Sequence, residues 1–239
     1  MMTDNILIKY MEDRFKLIPD PIDYPSKHLP FITISREYGC QANLIAEMVL
    51  NKLQELRINT DKNPWKLINK EIISKSASEL NLKETQIKYV FDSQERSTMD
   101  EVLAAISARY YKSDKKIRKT IADVIKSTAK QGNVIIVGRG GVAITRDMKN
   151  SLHIKLIGPF KERVKSIAKR KQLTDKQAMA FVKEMDEKRK KLVSNLYSHT
   201  ELNELYDVIY NTSTLSPDEI AQSIVDLLLQ KKNINLLEK

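Results

Sequence analysis

The sequence predicts an α/β protein with a parallel sheet covered by helices on both faces, and three observations carry that prediction. Short apolar, β-branched runs at Phe31 to Ser35, Asn133 to Val137 and Leu152 to Ile157 read as buried strands. Segments with apolar residues at helical spacing alternate with them, as crossover connections between parallel strands require. Glycine turns follow the first two runs, at Gly39 and at Gly138 to Gly141, where a strand hands over to a helix.

In order along the chain, residues 1–30 read as an arm. Ile6 to Leu17 suits a short amphipathic helix, and Pro19, Pro21, Pro25 and Pro30 then prevent regular structure. The first strand, Phe31 to Ser35, leads through Gly39 into a helix over Asn43 to Leu56, whose stripe is Leu44, Ile45, Met48, Val49, Leu53 and Leu56. Trp65 to Ile68 reads as a short strand. Lys70 to Leu80, Lys83 to Ser97 and Met99 to Tyr111 form a mainly helical insertion. Lys115 to Gln131 is a further amphipathic helix, ended by Gly132 in the left-handed position that follows many helices. After the strand at Leu152 to Ile157, Pro159 begins a helix, and Thr174 to Leu196 is a long charged helix or a helix pair. Val208 to Tyr210 completes the strand set. Ser216-Pro217-Asp218-Glu219 is a strong helix start, with a cap, a proline at the first position and acids at the positive end of the dipole; its apolar stripe reaches Leu229.

The chain of 239 residues is long enough to bury roughly 70% of its unfolded surface in one domain. With 41% hydrophobic and 30% charged residues and only 6 Gly and 7 Pro, the composition is that of a globular chain. No apolar run approaches a membrane span of about 20 residues, and residues 1–30 lack the apolar core of a secretory signal, so the expected location is the cytoplasm. The lone Cys40 excludes an intrachain disulfide and a cysteine-rich zinc site. The net charge of +10 is concentrated: residues 161–191 hold 12 Lys and Arg against 5 Asp and Glu. A phosphate-bearing partner fits that surplus, as would nucleic acid, an anionic surface or a merely solvated helix face.

Glycine turns beyond the carboxyl ends of parallel strands let backbone N–H groups approach a phosphate, while the next helix presents its positive end. A lone Gly39 reads more readily as an ordinary strand-to-helix turn. Arg139, set between glycines at the end of a buried strand, can fork onto a phosphate. Arg36 and Glu37 follow the first strand and are as readily an ion pair with each other as ligand contacts. Asp186 and Arg189 share a helix face in a segment that also offers Arg163 and Arg170. Singly these read as solvated helix residues; together they supply the cations that phosphoryl transfer demands. His28, His153 and His199 are too scattered for a metal site, and Trp65, Tyr110 and Tyr111 read as packing residues.

Ile-Thr-Ile-Ser-Arg-Glu-Tyr-Gly at 32–39, Val-Ile-Ile-Val-Gly-Arg-Gly at 134–140, Arg163, Asp186 with Arg189, and Tyr-Asn-Thr-Ser at 210–213 give the chain a resemblance. In this order and spacing it resembles the cytidylate kinase-like family of P-loop nucleoside monophosphate kinases, over about Phe31 to Leu229. The resemblance implies a P-loop NTPase-type five-stranded parallel sheet, a helical NMP-binding region over 66–131, and a helical lid over 161–200. It also implies transfer of a phosphoryl group from ATP, with Mg2+, to CMP or dCMP. By position, Ser35, Arg36, Glu37, Tyr38, Gly39, Cys40, Gln41, Ala42 and Asn43 would form the phosphate loop, with Asn211 and Ser213 near the adenine. Arg139, Arg163, Arg170, Asp186 and Arg189 would serve catalysis. Lys70, Gly138, Gly140 and Arg146 would join Arg139 at the acceptor.

The loop departs from the family pattern. Cys40, Gln41, Ala42 and Asn43 stand where Ser-Gly-Gly-Arg is usual, the Gly-Lys-Ser/Thr ending of an ordinary P-loop is missing, and Leu44 occupies the place of a magnesium-binding hydroxyl. Val137 stands where an acid commonly precedes Gly-Arg. A nucleotide-binding protein with weak or no turnover is therefore the alternative to a kinase, and a basic nucleic-acid-binding protein, lacking any recognisable motif, ranks third.

Overall fold

The computed structural model describes residues 29–56, 63–69, 71–81, 114–196 and 202–231. Five parallel strands form one sheet in the order β2-β3-β1-β4-β5. They are β1 (Phe31–Arg36), β2 (Lys66–Ile68), β3 (Val134–Val137), β4 (Ser151–Ile157) and β5 (Val208–Asn211). The central strand β1 pairs Ile32 with Ile135 of β3 and with Leu152 of β4, so its apolar run is buried from both sides. This is the P-loop NTPase-type sheet that the resemblance implies.

Strand alternation divides the core into two layers. Ile32, Ile34, Ile135, Leu152, Ile154 and Leu156 face α1 (Ala42–Glu55) and α7 (Pro217–Gln230), whose Ile45, Val49, Leu53, Ile220, Ile224 and Leu228 complete that layer. Phe31, Val134 and Ile136 face the other way, onto α2 (Glu71–Leu80) and α3 (Asp114–Gln131). The short α4 (Gly141–Thr145) follows β3. The antiparallel pair α5 (Phe160–Lys171) and α6 (Asp175–Leu196) encloses a separate small core of Val164, Ile167, Ala178 and Val182, against which Tyr38 and Phe181 pack. A 3-10 turn at Leu202–Leu205 leads into β5. Among the described residues no helix is long and apolar enough to cross a membrane.

Local chemistry accounts for the helix ends. Ser216 caps α7 through a reciprocal box with Glu219, and Pro217 sits at the first position. Gly132, at φ +67°, closes α3; a Cβ there would lie 2.1 Å from that of Leu29. One expectation changes: Pro159 lies one residue outside α5 as its N-cap, because its ψ of 130° is extended. Of the two alternatives for the stretch after Thr174, the single long helix is the one observed. The expected helices at 6–17, 83–97 and 99–111, and with them Lys70, His28, His199, Tyr110 and Tyr111, lie outside the described residues.

Candidate nucleotide site

β1, β3 and β4 end together, and the segments that leave them frame a crevice of about 440 Å³ lined by Ser35, Arg36, Gly138, Arg139, Lys155 and Arg189, among others. Arg36 is the last residue of β1, and its guanidinium lies directly over Gly138. A Cβ at Gly138 would come within 1.8 Å of Nη1, so only glycine leaves room for this approach. Burial, then the neighbouring charges of Arg189 and Arg139, push the Arg36 guanidinium down to about 9. A buried cation crowded by two others, with no carboxylate partner among the described residues, is a site prepared for an anion. Arg139 holds φ +59° between two glycines that are themselves left-handed, a conformation that costs a non-glycine residue about 1 kcal/mol or more.

Beneath the turn after β1, Arg163 acts as a hub. It is 7% exposed; its Nε donates to Gly158 O at 2.8 Å, and its Nη1 donates to Tyr38 O at 3.0 Å and to Asp186 Oδ2 at 2.6 Å. Glu37 Oε2 lies 3.3 Å from the same guanidinium and accepts from Gly158 N. Glu37 thus pairs with Arg163 and not with Arg36, because the strand sends the two neighbouring side chains to opposite faces. Asp186 also accepts from Tyr38 N at 2.6 Å, and Arg189 lies 4.9 Å over the Tyr38 ring with Nη1 donating to Arg36 O. Helix α6 is thereby tied to the turn by a carboxylate, a hydrogen bond and a cation–π contact. Burial lowers Arg189 while Asp186 opposes the shift.

The loop itself opens on a second cavity of about 300 Å³, lined by residues 36–44 with Arg170 and Arg189. Gln41, at φ 47°, caps α1 from the left-handed region without a side-chain bond, so the first N–H groups of the helix keep no side-chain cap. The cavity's cations are Arg36, at the start of the loop, and Arg170 and Arg189 from the two helices α5 and α6; residues 39–44 supply none. Cys40 is buried, and burial raises its thiol even though it pairs with Thr212. That contact sets the turn after β5 beside the loop. Asn211 Oδ1 there accepts from both the N–H and the hydroxyl of Ser213, which fixes the turn internally.

The expected site residues therefore divide. Ser35 to Asn43, Gly138, Arg139, Gly140, Arg170, Asp186 and Arg189 line the crevice or the loop cavity. Arg163 is brought to the centre but locked beneath the loop, where it positions other groups. Arg146 is a correction. It pairs with Asp147 and lines a groove with Ser151 and Asp207, at the amino ends of β4 and β5, because α4 carries the chain away from the crevice. The sequence reading missed Lys155, Asn203 and Tyr206. Their signal was a lysine inside the otherwise apolar run of β4, Leu152-His-Ile-Lys-Leu-Ile157.

The chain is also similar to known proteins. The chain is 35% identical over 96 residues to cytidylate kinase of Pyrococcus horikoshii and 35% identical over 95 residues to that of Thermococcus kodakarensis. Each match covers 38% of this chain and 47% of the relative, so the chain spans about half the length of the curated relatives it matches. An uncharacterized protein from Eubacterium ventriosum has a similar fold, with a TM-score of 0.57 at 20% identity over 84% of this chain and 99% of that one. The model of the cytidylate kinase-like family matches residues 31–214, and the chain belongs to that family.

Proposed function

We propose that the protein transfers the terminal phosphoryl group of ATP to a nucleoside monophosphate, with CMP and dCMP as the first acceptors to test. The observation that supports this most is the convergence of Arg36, Arg139 and Arg189 at the boundary between the loop cavity and the crevice. In the reaction an acceptor phosphate oxygen bonds to the γ-phosphorus as the bond to the bridging oxygen breaks, and ADP leaves with that electron pair. Charge spreads over the equatorial oxygens, and guanidiniums fixed between the two subsites stabilise it without reorganising.

ATP fits the loop cavity. The N–H groups at the start of α1 would cradle its phosphates, Arg170 and Arg189 would supply the cations that residues 39–44 lack, and Asn211 and Ser213 would lie toward the base. Magnesium fits less well, since Leu44 stands where the loop would otherwise offer it a hydroxyl. Arg139 would hold the acceptor phosphate. The pair α5 (Phe160–Lys171) and α6 (Asp175–Leu196) would act as the lid, with Arg163 and Asp186 holding it on the loop; α2 and α3 would bound the acceptor side.

The contact of Asp186 with Tyr38 N favours a second reading. A carboxylate already occupies the first N–H of a lysine-free loop, which suits a protein that binds nucleotides and turns over slowly or not at all. Calorimetric titration with CMP, dCMP and other monophosphates, with and without a non-hydrolysable ATP analogue and magnesium, tests the proposal. Micromolar binding of donor and acceptor together, followed by turnover with ATP, supports a kinase. Binding without turnover, even after Gln41→Gly and Ala42→Gly, supports the second reading, and absence of any nucleotide binding refutes both.

A further inference from the structure

Lys155, near the carboxyl end of β4, lines the crevice. It lies on β4 opposite Ser35 of β1, one residue before Arg36. Its Nζ donates to Asn203 Oδ1 at 2.9 Å and stands 5.3 Å from the centre of the Tyr206 ring. Tyr206 in turn hydrogen-bonds the side chain of Ser35. These four residues form the end of the crevice that faces β5.

The charges on the wall are unequal. Two of its acids, Glu37 and Asp186, are already matched by Arg163 beneath the loop. Arg36 and Lys155 have no carboxylate partner among the described residues. The two cations also differ in place. Arg36 lines both the crevice and the loop cavity, so it can serve the group in transit, whereas Lys155 lines the crevice alone. A half-buried ammonium with neutral partners keeps most of its charge uncompensated, and an oxyanion is the ligand it favours.

We propose that the crevice takes an acceptor bearing a second anionic group, and that Lys155, with Asn203 and Tyr206, binds that group and sets specificity for it. The proposal rests on the nucleotide-kinase reading of the same site. The second group is a phosphate on the ribose or a carboxylate on the base, and both present the same charged oxygens to Nζ.

The test is a calorimetric titration of the full chain with CMP, cytidine 3′,5′-bisphosphate and orotidine 5′-monophosphate, repeated on Lys155→Met, Lys155→Arg and Arg139→Ala. In the parent, one doubly anionic probe should bind about tenfold or more tightly than CMP, as one charge-assisted contact provides. Which probe gains identifies a phosphate or a carboxylate. Lys155→Met should bring that ratio close to one and Lys155→Arg should restore part of it, whereas Arg139→Ala should weaken all three ligands and leave the ratio standing. If Lys155 were only a strut for the Asn203 turn, its variants would shift the three ligands together. Equal binding of the three ligands to the parent, or an unchanged ratio in Lys155→Met, overturns the inference and leaves the kinase reading intact. Failure of all three to bind overturns both.

Discussion

Replacing Gly138 by Ala tests whether the approach of Arg36 to the glycine turn builds the anion site. Gly138 has φ +73°, and the new Cβ would fall 1.8 Å from Arg36 Nη1. The backbone term alone costs about 1–2 kcal/mol for an L-residue held in the left-handed region. The clash adds less to stability, because the obstructed atom is the far end of a flexible side chain that can swing away. It adds more to function, since the guanidinium that swings away is the one crowded against Arg139 and Arg189. Loss of one charged hydrogen bond to a phosphate corresponds to about 1.5–3 kcal/mol, or roughly tenfold to a hundredfold in affinity. Gly140→Ala is the control. It also has positive φ, +70°, but its Cβ would meet Leu196 Cδ1 at 2.3 Å and no cation. Thermal unfolding should show both variants folded and lowered by about 2–4 °C for each kcal/mol. Titration with CMP should show a larger affinity loss in Gly138→Ala than in Gly140→Ala, which lines the same crevice but displaces no cation. A folded Gly138→Ala variant that binds nucleotide as tightly as the parent would refute the assignment of Arg36 to the phosphate site.

Three further outcomes follow from the packing. Asp186→Ala leaves Glu37 as the one carboxylate on Arg163 and Tyr38 N without its acceptor; because Asp186 is one-quarter exposed and one carboxylate remains, about 2 kcal/mol should be lost in urea unfolding. His153, buried beside Thr33 and the Phe31 ring, is pushed down to about 4 chiefly by burial, against 6.5 for the free side chain. The unfolded chain then binds the extra proton between those values, so stability is full above pH 6.5 and falls by about 3 kcal/mol as pH drops to 4. His153→Gln should flatten that slope in denaturation curves recorded at pH 7, 5 and 4. Ser216→Ala removes the acceptor for Glu219 N and should cost about 1 kcal/mol, read as a lower thermal midpoint with nucleotide affinity unchanged.

The elements were legible because their signals are local. β-branched runs gave β1, β3 and β4, each within a residue or two of its observed span, and the Ser216 to Glu219 start gave α7 with its cap. Resemblance to a family gave the arginines their expected roles. Arg146 shows the limit of positional transfer. Seven residues beyond Arg139 it is close in sequence, yet a single helix turn and a half carries it to the opposite end of the strands. Glu37 shows another limit. Its nearest cation in sequence is Arg36, and its partner is Arg163, 126 positions away, which no local pattern reveals.

What the sequence determined by itself is the alternation of buried strands and amphipathic helices, the glycine turns, the excess of cations after residue 160, and the absence of lysine from residues 35–43. Those are properties of residue type and spacing, set by backbone sterics and by the cost of burying polar groups. Only the tertiary structure decided which cations reach the loop. The parallel register brings Arg36 over Gly138, and the docking of α6 through Asp186 carries Arg189 onto Tyr38. It also sets Lys155 beside Asn203 and Tyr206 at the far end of the crevice. Charge is written along the chain, but the field in a cleft depends on which charges are brought together and which are neutralised by partners distant in sequence.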